Sequence, residues 1–214
     1  MLKDQFVLSD KIVANYFVPF TSGKFIMSCL MLHPEVYPAL SHDQLFDRLR
    51  GYATHWNQVE YSDIDFWWKD YNHDWFNCPN DWFDYLAKGP LDAISHDKYI
   101  FYSVHEADTA GCITNLFPNA RLLVIVPDAE LCKKNYLAKN WNVEEPEFET
   151  SRVQRDFDNF RMPDTDLIFH QSHIYDTELF VKGISDLCNK LKIKVDMDLV
   201  LKYREHYLNS EFNK

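Results

Sequence analysis

The sequence predicts one α/β domain in which a mostly parallel β-sheet is flanked by helices, in three layers. Apolar runs of strand length, rich in β-branched and aromatic residues, occur at 12–18, 99–104, 121–126 and 166–169, and such runs are typical of buried strands. Segments with helical periodicity follow them, beginning near Phe25, Glu130 and Asp176. Strands that alternate with helices in this way indicate right-handed βαβ units and a doubly wound sheet.

Length and composition limit the classes of protein that fit. The chain of 214 residues suits a single domain over 1–214, and its formal charge of −11 argues against a broad surface for nucleic acid or an anionic membrane. Five scattered cysteines, without CxxC pairs, predict free thiols in a reducing compartment. Because no secretory leader and no apolar run of membrane-spanning length is visible, we expect a cytoplasmic protein.

Residues 52–97 form an aromatic and acidic segment, which we expect to be a helical insertion over the ligand-binding edge of the sheet. Its tryptophans are Trp56, Trp67, Trp68, Trp75 and Trp82, and carboxylates lie among them. Aromatic rings beside carboxylates bind sugars or cationic ligands, but rings also pack ordinary cores. Packing of the insertion onto the sheet is the favoured interpretation.

The stretch 11–34 combines a strand, a short turn and a helix, the order of a phosphate-binding cradle. Backbone N–H groups of such a turn and the helix N-terminus favour an anion, although a surface lysine on an ordinary strand–turn–helix unit fits the pattern equally well. Phe25 stands where a magnesium-binding Ser or Thr follows the Lys of the Walker pattern, so a magnesium-dependent NTPase is disfavoured. The residues of the predicted cradle are Phe20, Thr21, Ser22, Gly23, Lys24 and Phe25.

Three blocks of the sequence follow one another in a distinctive order. The first is VPFTSGKFIMSCLMLHP, the second is YSVH at 102–105, and the third is LFPNARLLVIVPDAELCKKNYLAKNW. In this order they resemble the sulfotransferase family, whose members carry a Pro-x-Ser-Gly-Thr-Thr turn, a strand ending in a catalytic His, and a Phe-Pro-Asn-Ala-Lys strand followed by Arg-Asp-Pro and a helix. The third block is the most distinctive of the three.

The resemblance implies a P-loop-type fold and a sulfuryl transfer from 3'-phosphoadenosine 5'-phosphosulfate to a small hydroxylated or carbohydrate acceptor, without a metal. His105 would act as the base, and Lys24 would stabilise the developing charge. The cradle residues would bind the cofactor, together with Asp128 and Asn135 of the third block. Arg152 and Arg155 would reach in from the segment that follows.

The sequence departs from the family at the 3'-phosphate. Pro127 and Asn135 stand where the family has the Arg and Ser that hold this phosphate. Because guanidinium and ammonium groups suit phosphate oxygens, we expect a substitute among Lys133, Lys134, Arg152 and Arg155. Two alternatives stay open: a non-catalytic nucleotide-binding or interaction protein that keeps the fold, and a small-molecule P-loop kinase. The acceptor and the oligomeric state are left open.

Overall fold

A computed structural model describes residues 10–30, 32, 36–37, 99–104, 118–139 and 147–209. Within these ranges the strands are β1 (Ile12–Tyr16), β2 (Val36–Tyr37), β3 (Tyr99–Val104), β4 (Arg121–Val126) and β5 (Leu167–His170). The α-helices are α1 (Gly23–Leu30), α2 (Ala129–Lys139), α3 (Arg152–Asp158), α4 (Thr177–Leu191) and α5 (Met197–Asn209), and short 3₁₀ helices cover Phe148–Thr150 and Gln171–Tyr175.

The strands form one parallel sheet in the order β2-β3-β1-β4-β5. The sequence prediction of a parallel α/β sheet flanked by helices is therefore confirmed, and each of the four predicted runs contributes a strand. β1 ends at Tyr16, before the run's predicted limit at 18, because Val18 already belongs to the turn that Pro19 starts. The two-residue strand β2 was not predicted, since Pro34 and Pro38 close to it hide any strand pattern.

One face of the sheet carries the larger apolar core. Alternate residues of the strands, such as Val13, Leu123 and Phe169, point to this face and are at most 1 % exposed. Helices α1, α4 and α5 cover them, and the cluster includes Ile26, Leu30, Phe180, Ile184, Leu187, Val200 and Tyr203. This layer fixes the position of α1 against β1.

The opposite face is covered by the segment around α3. Tyr16 points to this face by strand alternation, and its ring stacks on Phe160 with the centroids 5.4 Å apart. A second apolar cluster joins α2 to the same segment through Val18, Cys132, Tyr136, Phe148 and Val153. Helices therefore lie against both faces of the sheet.

The start predicted for α4 near Asp176 agrees with its cap, and α5 has a similar cap. Asp176 accepts from the Leu179 N–H at 2.9 Å at the start of α4, and Asp196 accepts from the Leu199 N–H at 3.1 Å at the start of α5. The buried residues of α5 are Val200, Tyr203 and Arg204, and Leu201 and Leu208 also pack on the core. Because α5 contacts both α1 and the start of α4, it buries side chains from more than one row of its surface.

Several predictions lie outside the described residues: the helix at 41–51, the aromatic insertion 52–97, the helix at 108–117, and His105. Within the described part of the chain, no helix is both long and apolar enough to cross a membrane.

Candidate functional site at the carboxyl edge of the sheet

The strand order has a topological switch point between the carboxyl ends of β1 and β4. From β1 the chain moves to β2 on one side of the sheet, whereas from β4 it moves to β5 on the other side. Loops that leave neighbouring parallel strands in opposite directions open a crevice where ligands of α/β proteins bind. The turn between β1 and α1 therefore lies at one wall of this crevice, and the β4–α2 turn lies at the other.

The β1–α1 turn has an unusual backbone. Phe20 and Ser22 both have positive φ, 69° and 64°, a conformation that costs a residue with a side chain on the order of 1 kcal/mol or more. Pro19 before Phe20 fits the type II turn, and the Val18 carbonyl accepts from the N–H of Thr21 at 3.2 Å and from its hydroxyl at 2.6 Å. The turn must therefore be held in place by its surroundings.

Two side-chain amides hold the turn through a single carbonyl. The Phe20 oxygen accepts from Asn135 Nδ2 at 2.9 Å and from Gln171 Nε2 at 3.1 Å. The other end of Gln171 accepts from the Asp128 N–H at 2.9 Å, and Cys132 Sγ lies 3.4 Å from the Pro19 carbonyl oxygen. The loops that follow β1, β4 and β5 are thus joined, and this explains how the strained φ of Phe20 persists.

Gly23 is needed for packing against Phe17. A Cβ built at Gly23 would lie 2.1 Å from Phe17 Cγ, well inside contact distance. The close neighbour of Gly23 is thus a ring of the core, and its φ is not positive.

Asn15 fixes the direction of the first helical peptide. Its Nδ2 donates to the Gly23 carbonyl at 3.1 Å, and Asn15 is fully buried in β1. Because C=O and N–H of a trans peptide point in opposite directions, the Lys24 N–H points away from β1. The first intrahelical bond runs from the Ile26 N–H to the Ser22 carbonyl, so the N–H groups of residues 23–25 have no carbonyl partner inside α1.

The last helix reaches the same turn. Ser22 Oγ lies 2.5 Å from the Tyr207 hydroxyl of α5. The Tyr207 ring stacks on Phe25 with the centroids 4.2 Å apart, and Phe25 is 3 % exposed. Phe25 is therefore a core residue whose packing brings α5 to the turn, and it is not exposed to a ligand.

Asp128 and Tyr175 lie near Asn135, on the wall formed by the β4–α2 turn and its neighbours. Asp128 caps α2, since its Oδ1 accepts from the Leu131 N–H at 3.0 Å. The pKa of Tyr175 is raised, and burial is the largest cause. The nearby amide of Asn135 lowers this pKa, and the charge of Asp128 raises it. Asn135 is 5 % exposed, and its Oδ1 accepts no hydrogen bond from the described residues. This wall is a polar region with net negative charge.

Lys133, Arg152 and Arg155 each have a partner nearby in sequence or on the adjoining 3₁₀ helix. Lys133 pairs with Glu149, Arg155 donates to the Thr150 carbonyl at 3.1 Å, and Arg152 lies 3.8 Å from Asp156. Lys134, Arg152 and Arg155 are exposed. The expectation that one of them faces the turn stays a prediction, and the partners seen here do not belong to the turn.

Sequence reasoning missed three residues of this site: Asn15, Gln171 and Tyr207. Asn15 offered a signal, because a polar amide interrupts the apolar run IVANYFV. Gln171 and Tyr207 offered none, since their contacts join the turn to residues that are 151 and 185 positions away along the chain.

Two histidines, His170 at the end of β5 and His173 in the 3₁₀ helix that follows, lie close together. The rings of His170 and His173 are 5.1 Å apart, but no group of three or more metal-ligating side chains occurs in the parts of the chain that the structure describes.

Comparison with known proteins yields no relative: the chain matches no protein-family model, and it has no significant match among curated proteins or solved structures.

Proposed function

We propose that the chain is a sulfotransferase-like protein with a P-loop-type fold. It binds 3'-phosphoadenosine 5'-phosphosulfate at the β1–α1 turn and transfers the sulfuryl group to a small hydroxylated or carbohydrate acceptor. The observation that supports this best is the turn itself. Amides of Asn15, Asn135 and Gln171 engage its carbonyls, and the N–H groups at the start of α1 remain for an anion in the crevice.

The cofactor fits the site in part. One anionic group suits the N–H groups of residues 23–25 and the Ser22 hydroxyl. The site suits the 3'-phosphate less well. The Asn135 N–H that could bind it already donates to the Phe20 carbonyl, and the carboxylate of Asp128 would repel a phosphate. A second phosphate must therefore find its cation elsewhere, and Arg152 and Arg155 are the candidates that the sequence offers.

The proposed chemistry divides between the cofactor and the chain. The cofactor would supply the sulfuryl group. Sulfuryl transfer resembles phosphoryl transfer, in which catalysis rests on positioning and on stabilisation of charge. Lys24 and the backbone N–H groups would stabilise that charge, and His105 would take the proton of the acceptor hydroxyl.

The second candidate is a nucleotide-binding relative without transferase activity. Two contacts favour it: Lys133 pairs with Glu149, and Arg155 donates to the Thr150 carbonyl. These cationic groups, which the 3'-phosphate would need, thus already have partners. A small-molecule kinase is the third candidate. It is disfavoured because the buried Phe25 replaces the hydroxyl that would bind magnesium.

Thermal unfolding of the full chain with added nucleotides tests the proposal. We expect adenosine 3',5'-bisphosphate to raise Tm in a concentration-dependent way, because a ligand at 100 times its Kd stabilises by about 2.7 kcal/mol. ATP with Mg²⁺ should have a smaller effect. A larger effect of ATP with Mg²⁺ would favour the kinase, and no effect of either nucleotide would end the nucleotide-binding proposal.

Calorimetric titration with adenosine 3',5'-bisphosphate then tests the turn. Lys24→Ala should weaken binding by about tenfold, the loss of one charge-assisted hydrogen bond. Lys194→Ala, an exposed lysine between α4 and α5, is the matched control. Transfer of labelled sulfate from the cofactor to hydroxylated acceptors separates the first candidate from the second: binding without transfer to any acceptor would favour the non-catalytic relative.

A further inference from the structure

We infer that Tyr207 is a positioning residue of the anion site. Its hydroxyl donates to Ser22 Oγ and thereby turns the Ser22 O–H toward an oxygen of the bound phosphate or sulfonate group. This inference rests on the proposed function, because it needs an anion at the β1–α1 turn. It adds a residue from the last helix, which the sulfotransferase resemblance does not assign to the site.

The geometry of the pair supports this role. Ser22 precedes the first residue of α1, and its hydroxyl lies 2.5 Å from the Tyr207 hydroxyl. The positive φ of Ser22 places that hydroxyl differently from the extended N-cap serine, which accepts from the helix backbone. The Ser22 hydroxyl is thus directed by α5.

The chemistry of the two hydroxyl groups assigns the direction of the bond. A phenol is much more acidic than an aliphatic alcohol, so Tyr207 is the better donor and Ser22 the better acceptor. A serine oxygen that accepts a hydrogen bond becomes a stronger donor through its own O–H. The proton of Ser22 is then available to an anionic oxygen next to the N–H groups of residues 23–25.

A second observation at the turn also points to a ligand. Asn135 is 5 % exposed, its Nδ2 donates to the Phe20 carbonyl, and the Oδ1 of the same amide has no partner among the residues that the structure describes. Buried acceptors are rarely left without a donor. A hydroxyl of the ligand, such as that of a ribose, is the kind of donor that Oδ1 can take beside the anion.

Tyr207 also has a packing role, which the experiment must separate from the inferred one. Its ring stacks on Phe25 at 4.2 Å, and the Phe25 ring has a second tyrosine neighbour, Tyr203, at 5.0 Å. Tyr207→Phe keeps the ring and removes the hydroxyl. Tyr203→Phe removes a hydroxyl from the same aromatic cluster and serves as the matched control.

The experiment is a double-mutant cycle on the full chain. Affinity for adenosine 3',5'-bisphosphate is measured by calorimetry for wild type, Tyr207→Phe, Ser22→Ala and the double variant, and the Tm of each free protein is measured as well. We expect Tyr207→Phe and Ser22→Ala each to weaken binding by about five- to tenfold. The double variant should bind no more weakly than Ser22→Ala alone, because Tyr207 acts through Ser22. Tyr203→Phe should bind like wild type.

Each other outcome has a defined meaning. Wild-type affinity of Tyr207→Phe, with or without a lower Tm, would overturn the inference and leave the proposed function standing. Additive losses in the double variant would also overturn it, since the two hydroxyls would then act separately. If Tyr207→Phe does not fold, wild-type affinity of Ser22→Ala overturns the inference and a five- to tenfold loss supports it. Failure of the wild type to bind the nucleotide would end the proposed function, and the inference with it.

Discussion

The side-chain amide of Gln171 donates to the carbonyl of Phe20 at 3.1 Å and joins the turn after β1 to the segment after β5. Its oxygen accepts from the Asp128 N–H in the turn after β4. Gln171 is fully buried, so no water replaces these bonds. One amide therefore connects the loops that follow β1, β4 and β5 and helps to keep Phe20 at a φ that side chains seldom adopt.

Gln171→Leu should lower the free energy of unfolding by about 1–3 kcal/mol, because it leaves the part-buried Asp128 N–H without its acceptor and the Phe20 carbonyl with one donor fewer. Urea unfolding followed by circular dichroism measures this change. Ser172→Ala, at the exposed neighbouring position, is the control and should unfold like wild type. Equal unfolding midpoints for Gln171→Leu and wild type would contradict the role given to this amide.

Gly23→Ala should destabilise the fold by about 1–3 kcal/mol, since the new Cβ would overlap the Phe17 ring, which then has to move. Chemical unfolding of the variant measures the loss. The double variant Phe17→Leu with Gly23→Ala should recover part of the stability that the sum of the single changes would remove. Strict additivity of the two changes would argue that the ring and the glycine are not in contact.

Cys132 should react very slowly with iodoacetamide in the folded protein. Burial, together with the smaller effect of the Asp128 charge, raises its pKa to about 12. At pH 8 only about one thiol in ten thousand would be thiolate, the reactive form. Mass spectrometry after labelling should show Cys29, Cys132 and Cys188 unmodified in native buffer and modified in urea. Rapid labelling of Cys132 in native buffer would contradict its burial.

The Cys132 thiol should also make the unfolding free energy decrease at alkaline pH. Cys132 has its ordinary pKa near 9 in the unfolded chain and a pKa of about 12 in the folded protein. Between these values the unfolded state binds fewer protons, so the unfolding free energy decreases as pH rises from about 9. Cys132→Ala should show a smaller decrease over this interval in urea titrations at increasing pH. Parallel decreases for the variant and wild type would assign the effect to other groups.

Arg204→Met should lower the unfolding free energy by about 2–3 kcal/mol, the scale of hydrogen bonds made by a charged donor. Arg204 is 8 % exposed, donates to the Ile174 carbonyl at 2.6 Å and to Thr177 Oγ1 at 3.0 Å, and lies over the Phe180 ring. Lys202→Met, an exposed change on the same helix, is the control in a chemical unfolding experiment. If both variants unfold alike, Arg204 does not anchor α5 to the start of α4.

The sequence by itself determined four of the five described strands and the start of α4. The apolar run 121–126 specifies β4 because a strand covered on both faces needs a continuous apolar stretch. The shorter run 166–169 specifies β5, whose residues alternate between buried and more exposed. Asp176 determined the start of α4, because a capping carboxylate acts within four residues of its own position. These signals are local, and local chemistry is what a sequence pattern records.

Only the tertiary structure decided how the candidate site is held. The bonds from Asn135 and Gln171 to Phe20, and from Tyr207 to Ser22, join residues that are 115, 151 and 185 positions apart. A periodic pattern in the sequence cannot relate positions so far apart in the chain. Their distance in space depends on the strand order and on how α5 packs over α1. The tertiary structure also places the Phe17 ring against Gly23. The positions of α2 and α5 against the turn determine which side chains reach it.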